Sequence, residues 1–360
     1  VFCGTILRGS DAEFSAVEHV DEKSWEAFGR YKAGLLTILP IILVALCLFS
    51  LDSLPASPQK QDCLTPDSTL RVTTTVVNVY AIVRDHKGRI VSDLSNDDFE
   101  LREESELQPI RYFSRETSTP LSLGMVIDTS RSQEGVLAAE KEEAKEFVRE
   151  VLSSKDQAFL SRFDLDVELL QDFTSDFASF SRAIDNLEIN YAERPLLTDP
   201  SSGASAGGSH LYDAVFLASN ELMKSQVGRK VLVLVTDGED QGSKVSASSA
   251  LAAAEKADVI IYCVAVSDPE FYELRGMPFK GDSALRRISE RTGGRLIRVN
   301  GRQNTAAAFG EIAKELRTEY FLGYSPTNLR HDGSFRKVRV RVTHGNYRVQ
   351  TRHGYYSPKE

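Results

Sequence analysis

The chain reads Leu121-Ser122-Leu123-Gly124-Met125-Val126-Ile127, and Asp128-Thr129-Ser130-Arg131-Ser132 follows directly. The first stretch is apolar apart from one serine, as expected of a strand that is buried on both faces of a sheet. The second stretch sets one carboxylate and two hydroxyls at alternating positions after that strand. Such hard oxygen ligands suit a divalent cation such as Mg²⁺. The sequence here predicts a buried parallel strand with a cation site at its carboxyl end.

The region behind this strand alternates between apolar stretches of strand length and amphipathic stretches of helix length. Further strands are predicted at 158–163, 167–173, 231–235, 259–266 and 295–299, and helices at 136–152, 177–187, 211–223, 247–257, 284–292 and 306–316. The alternation indicates an α/β fold with a doubly wound, mostly parallel sheet. Within the first helix, Glu140-Lys141-Glu142-Glu143 is expected to form an exposed face with charge pairs of mixed sign.

Two later segments bring oxygen ligands to the same edge of the sheet. Ser209 opens a helix after Gly207-Gly208, and Asp237 follows the strand predicted at 231–235. In a doubly wound sheet, ligands bind at the carboxyl ends of strands, where the strand order reverses. Taken singly, each segment is also explained as a helix cap or a polar turn. Their conjunction predicts one site for Mg²⁺ (or Mn²⁺ or Ca²⁺), with the ligands Asp128, Ser130, Ser132, Ser209 and Asp237.

Together these segments resemble the metal-ion-dependent adhesion site of the von Willebrand factor type A domain. The resemblance to the domain itself covers about residues 120–319. Asp128, Ser130 and Ser132 match its first motif, and Asp237 matches the distal Asp. Ser209 falls where the family usually has Thr. The stretches 83–88, 97–103, 321–326 and 352–356 are similar to a bacterial family of von Willebrand factor A-related proteins. The resemblance implies a Rossmann-like fold and a binding function, in which the cation coordinates an acidic side chain of a protein partner.

Two β-rich segments flank the type A domain, which is predicted at 119–318. The flanking segments, 68–118 and 319–360, each contain too few strands to bury a core alone. We therefore expect them to pair into one small β-sandwich, with the type A domain inserted between its halves. Within the second segment, the strand at 347–351 is expected to pair with that at 337–343 across His344-Gly345-Asn346.

The N-terminal part carries a targeting signal. Residues 1–33 form a polar leader, predicted to be cytoplasmic, and 34–51 a signal anchor or signal peptide. The run Leu35 to Leu51 is apolar except for three residues, and Arg30 and Lys32 precede it. A linker with three prolines follows at 52–67. Positive charge ahead of the apolar run predicts that everything after it lies outside the cytoplasm, membrane-anchored or secreted, in the periplasm or at the cell surface.

Charge and cysteine usage exclude other classes of function. The net charge is -9, from 52 acidic and 43 basic residues, and no stretch clusters Lys and Arg on one helix face, which argues against a nucleic-acid partner. The four cysteines and six histidines are scattered without metal-ligand spacing, which argues against a zinc site. Cys263 lies inside an apolar strand, so a buried thiol is favoured over a disulfide with Cys63. The oligomeric state is left open.

The sequence also bears on rival functions of two classes, an enzyme and a structural protein. A phosphotransferase of the haloacid-dehalogenase type needs a second carboxylate two residues after its nucleophile, and that position holds Ser130, whose hydroxyl cannot serve as an acid or base near neutral pH. The stretch Gly203-Ala204-Ser205-Ala206-Gly207 has the Gly-x-Ser-x-Gly pattern of the hydrolase nucleophile elbow. No strand is predicted directly before it, and the elbow requires one. An enzyme is therefore not expected. A structural or assembly protein of the cell envelope, in which the metal only stabilises the fold, remains the alternative.

Overall fold

The computed structural model describes residues 76–115, 119–191, 209–267, 282–300 and 305–359. All of them belong to one compact unit, Leu70–Glu360. Among these residues, no helix has the length and apolar character needed to cross a membrane. The predicted leader, anchor (Leu35 to Leu51) and linker lie outside the described residues, and so does the Gly203–Gly207 motif.

The elements follow the predicted alternation between a first β segment, a central α/β region and a second β segment. The strands are β1 (Val77–Arg84), β2 (Phe99–Glu103), β3 (Glu106–Gln108), β4 (Tyr112–Ser114), β5 (Leu121–Asp128), β6 (Gln157–Phe163), β7 (Val167–Thr174), β8 (Arg229–Thr236), β9 (Val259–Ser267), β10 (Leu296–Asn300), β11 (Tyr320–Tyr324), β12 (Phe335–Val342), β13 (Arg348–Thr351) and β14 (Gly354–Tyr356). The helices are α1 (Leu137–Val151), α2 (Phe177–Asp185), α3 (Leu211–Leu217), α4 (Ala247–Lys256), α5 (Asp282–Thr292) and α6 (Thr305–Arg317). A short π-helix, Ala218–Met223, continues α3.

The central sheet has the strand order β10-β9-β8-β5-β6-β7. Its strands are parallel except β7, which returns antiparallel to β6. One apolar core lies between the sheet and helices α1, α2 and α6, and a second lies between the opposite face and helices α3, α4 and α5. The predicted doubly wound, mostly parallel α/β fold is confirmed.

The strand order reverses between β5 and β8. From β5 the chain moves outward through β6 to β7, and it then returns to β8 on the other side of β5 before moving outward again. The two strands pair in parallel, with Ile127 opposite Val235. Their carboxyl ends therefore meet at the switch point, where doubly wound sheets bind their ligands.

The two flanking β segments interleave, as predicted. Strand β1 lies between β11 and β13 in one antiparallel sheet, and β2 lies between β12 and β3 in another. The two sheets share one apolar core, in which Val79, Leu101, Leu322 and Val340 are buried. Neither segment encloses this core alone, so the α/β region is an insertion into a small β-sandwich.

One local prediction in the sandwich was wrong. Strand β13 does not pair with β12 across the 344–346 turn but with β1 of the other sheet, where Thr351 lies opposite Ala81. The backbone carbonyl oxygen of Asp98 accepts a hydrogen bond from the backbone N–H of Thr343, just before this turn. The contact accompanies the crossing of the chain to the second sheet. The hairpin between β2 and β3 turns at Glu104 and Ser105, both at positive φ, without the usual Gly or Asn signal.

Buried polar groups join the sandwich to the α/β region. The carboxylate of Glu315 on α6 is fully buried and accepts hydrogen bonds from Arg84 of β1, Arg295 before β10 and Gln350 of β13. Since three donors surround one buried carboxylate, its charge is compensated. Cys263 on β9 is a buried free thiol, as predicted.

Candidate metal centre

Asp128 is the last residue of β5, and its side chain is fully buried. Its Oδ1 accepts the backbone N–H of Ser130 at 2.9 Å, and its Oδ2 accepts the Thr236 hydroxyl at 2.6 Å. The hydroxyls of Ser130 and Ser132 lie 3.0 Å apart. The tight turn after β5 therefore gathers one carboxylate and two hydroxyls at the sheet edge.

Asp237 follows β8 directly and is also buried. Its Oδ1 accepts the backbone N–H of Glu239 at 3.1 Å. Between them, Gly238 has a φ of +84°, which favours glycine, and it donates its N–H to the Thr236 hydroxyl at 3.0 Å. The turn after β8 thus folds back on the strand end and holds the Asp237 carboxylate next to that of Asp128.

Ser209 is buried at the entrance to α3. Its carbonyl oxygen accepts the Gln241 backbone N–H at 2.9 Å, and the next residue, His210, donates its N–H to the Asp164 carbonyl oxygen at 2.7 Å. The segment is thereby held between the loop that follows Asp237 and the loop that follows β6. The structure brings Asp128, Ser130, Ser132 and Asp237 together and places Ser209 on the adjoining loop. Gly207 and Gly208 lie outside the described residues.

A third acidic residue at this edge has a structural role. Asp164 accepts hydrogen bonds from the Thr129 hydroxyl at 2.8 Å, the Arg162 guanidinium at 2.6 Å and the Asn190 amide at 2.9 Å. An aspartate with these partners is already neutralised, so it fixes the loop that carries Asp128. Sequence analysis did not single it out.

Asp240 also holds the loops together. It accepts the Tyr212 backbone N–H at 3.3 Å and the Ser243 hydroxyl, and thereby ties the loop after Asp237 to the start of α3. Both Asp240 and Glu239 are half-buried.

The candidate site contains two buried carboxylates, those of Asp128 and Asp237. Burial, and secondly the neighbouring Asp237 charge, raise the pKa of Asp128. Among the ion pairs between described residues, none involves Asp128. Two adjacent carboxylates buried at one edge favour a bound cation, because it would offset both the desolvation and the mutual repulsion.

Glu140 corrects a sequence prediction. It was expected on an exposed face of α1, but it is only 1% exposed. Burial, and then the charges of Asp128 and Asp237, raise its pKa to about 8. Helical spacing is the sequence signal for this burial, because position 140 lies on the same helix face as the buried residues Ala144, Phe147 and Val148.

The donor set fits a hard divalent cation. Two carboxylates and three hydroxyls are oxygen ligands of the kind that Mg²⁺, Mn²⁺ and Ca²⁺ prefer. Within the described ranges, no three His, Cys, Asp or Glu side chains form a group that could hold a metal alone. A cation would therefore depend on the hydroxyls and on water to complete its coordination. The assignment of Asp128, Ser130, Ser132, Ser209 and Asp237 as metal ligands stays a prediction.

The central region of the chain matches a known family of domains. Residues 123–239 match the sequence model of the von Willebrand factor type A domain, from the interior of β5 to just beyond Asp237. A search of curated proteins finds no significant match.

Many solved structures are similar to the chain at low sequence identity. The conserved hypothetical protein BatB from Bacteroides thetaiotaomicron is 19% identical, with a TM-score of 0.41, over 54% of this chain and 97% of that one. A von Willebrand factor type A protein from Catenulispora acidiphila is 13% identical, with a TM-score of 0.42, over 72% of each chain. Proximal thread matrix protein 1 from the mussel byssus is 15% identical, with a TM-score of 0.46, over 60% of this chain and only 51% of that protein.

The matched region contains β5, the switch point and β8. The chain contains a von Willebrand factor type A domain.

Proposed function

We propose that this protein is a metal-dependent protein-binding module that works outside the cytoplasm. One observation carries the proposal: the buried carboxylates of Asp128 and Asp237 lie side by side where the strand order reverses, with hydroxyl groups around them. A divalent cation would stabilise such a pair, because it would offset their desolvation and their mutual repulsion.

Asp128, Ser130, Ser132, Ser209 and Asp237 would hold the cation, with Mg²⁺ as the first choice and Mn²⁺ or Ca²⁺ as alternatives. Hydroxyls and water contribute no negative charge to the coordination shell. The cation would therefore retain an attraction for a further anionic ligand at the open edge of the sheet. We propose that this ligand is an acidic side chain of a protein partner, which would make binding depend on the metal.

The proposed location rests on charge around the apolar run. Arg30 and Lys32 precede Leu35 to Leu51, and that asymmetry favours export of all the residues after the run. The type A domain would then face the periplasm or the cell surface, tethered to the membrane or released from it.

The test is capture of partners from an envelope extract by the immobilised full-length protein. Binding should require added Mg²⁺, be lost in EDTA and return when Mg²⁺ is restored. Asp128→Ala should capture nothing above background. Glu239→Gln, which removes a charge from the turn beside Asp237 but no predicted ligand, should behave like the parent. Capture that persists in EDTA and in Asp128→Ala would contradict the proposal and favour the assembly alternative.

A further inference from the structure

Glu140 differs from every other buried glutamate in the described part of the chain. Four of the five pair with an arginine: Glu103 with Arg336, Glu255 with Arg291, Glu315 with Arg84 and Arg295, and Glu319 with Arg229. Neither carboxylate oxygen of Glu140 has a hydrogen-bond partner, and neither forms an ion pair. An ionised carboxylate that is buried without a partner is costly, and a bound cation would compensate its charge.

The usual explanation for an acidic residue at this position does not apply. Glu140 lies in the first turn of α1, where a carboxylate can accept the free backbone N–H groups of the helix start. Its oxygens make no such bond. Glu140 follows Val136 and Leu137 by one helical turn, and these two residues belong to the apolar core that also contains Ile127 and Val235 near the ends of β5 and β8. The charges of Asp128 and Asp237 act on its carboxyl group.

A second side chain nearby in the sequence is also unpartnered. Gln133, in the short 3-10 helix before α1, is 1% exposed, and neither its amide nitrogen nor its amide oxygen forms a hydrogen bond. Unpartnered buried polar groups of this kind are commonly satisfied by internal water. Gln133 and Glu140 are therefore two buried polar side chains without hydrogen-bond partners in the segment that follows Asp128.

We propose that Glu140 belongs to the metal centre and acts on the cation through bound water, as its third anionic group. This inference rests on the cation site of the proposed function. Action through water agrees with the finding that no three acidic side chains of the described residues enclose a metal by themselves. The bound cation would take the compensating role that an arginine has at each of the other buried glutamates.

The third carboxylate would have two opposing effects on the site. It would strengthen binding of the cation, because the negative charge around the cation increases. It would also reduce the positive charge that remains for the acidic side chain of a partner. The centre would thus favour stable loading with metal over strong attraction for the partner.

Calorimetric titration of the full-length protein with Mg²⁺ tests the inference. Glu140→Gln keeps the shape of the side chain and removes its charge. Because groups that support a metal through its bound ligands commonly contribute 10–100-fold to affinity, we expect the Kd to rise by about tenfold or more. Glu255→Gln is the matched control: it removes a buried carboxylate that is already paired with Arg291, and it should keep the parental Kd.

Circular dichroism would establish that each variant is folded. Should Glu140→Gln fail to fold, Glu140→Met replaces the carboxylate with an apolar group of similar size, and we expect it to lose affinity in the same way. A folded Glu140→Gln or Glu140→Met protein with the parental Kd would overturn the inference, as would equal weakening in Glu255→Gln. In either case Mg²⁺ binding by the parent would leave the proposed function intact. A parent that binds no Mg²⁺, Mn²⁺ or Ca²⁺ would overturn both.

Discussion

The Thr236 hydroxyl donates a hydrogen bond to Oδ2 of Asp128 at 2.6 Å and thereby links the ends of two neighbouring strands. The same hydroxyl accepts the backbone N–H of Gly238 at 3.0 Å. One buried side chain thus orients the Asp128 carboxylate and shapes the turn that carries Asp237. The two predicted ligands are held in place before any cation binds, which lowers the entropic cost of binding.

Replacing Thr236 with valine should weaken the metal centre. The substitution keeps the branched shape but leaves Oδ2 of Asp128 without its donor and the Gly238 N–H without its acceptor. We expect a loss of about 1–3 kcal/mol in the unfolding free energy of the metal-free protein, measured by urea denaturation in EDTA. The Kd for Mg²⁺ should rise by about tenfold. Thr236→Ser keeps the hydroxyl and is the control, and equal behaviour of the two variants would refute this role.

Ser209→Thr should be tolerated. Threonine retains the hydroxyl that Ser209 contributes and is the residue that the resemblance places there, so Mg²⁺ affinity should be unchanged or tighter. Ser209→Ala removes the oxygen and should weaken binding. Calorimetry on the two variants gives the comparison, and an alanine variant with parental affinity would remove Ser209 from the ligand set.

The stability of the metal-free protein should fall as pH rises. Burial raises the pKa of Glu140 from its ordinary 4.5 to about 8, so between these values the folded form keeps a proton that the unfolded form has released. The contribution of Glu140 to the unfolding free energy is therefore fully present below pH 4.5 and is lost as the pH rises towards 8. The loss is at most about 1.4 kcal/mol for each pH unit. Glu140→Gln lacks this group and should show a flatter profile in EDTA. Identical profiles for the two proteins would contradict the prediction.

Periodicity in the sequence was sufficient to predict the central fold. The buried run Leu121 to Ile127 and the alternation behind it predicted the parallel sheet, and the clustering of Asp128 with Asp237 followed from the topology alone. The pairing of the flanking segments was also predictable, because neither could bury a core. These are consequences of patterns that many residues share.

What escaped prediction depended on single contacts. Glu140 was placed on a surface because its neighbours in sequence are charged, although its spacing from Ala144 and Phe147 puts it on the buried face. The crossing of β13 to the other sheet accompanies a contact between Thr343 and Asp98, which are distant in sequence. A local pattern carries no information on such a pair.

The sandwich should depend strongly on Glu103. Its buried carboxylate accepts the hydroxyls of Tyr324 at 2.7 Å and Tyr355 at 2.9 Å and pairs with the Arg336 guanidinium. Glu103→Ala leaves that arginine buried without its partner, which should cost about 3–5 kcal/mol of unfolding free energy. Glu106→Ala, at an exposed position on β3, should change stability by less than about 0.5 kcal/mol. Urea denaturation measures both, and a similar small change in both would show that the network contributes little.

The most direct test of the metal centre is titration of the full-length protein with Mg²⁺ by calorimetry, for the parent and for Asp128→Ala. The parent should bind one cation, and its melting temperature should rise, because saturation at 100 times the Kd stabilises the folded state by about 2.7 kcal/mol. Asp128→Ala should show neither effect, since no neighbouring side chain replaces the missing carboxylate. An Asp128→Ala protein that binds Mg²⁺ as tightly as the parent would contradict the account.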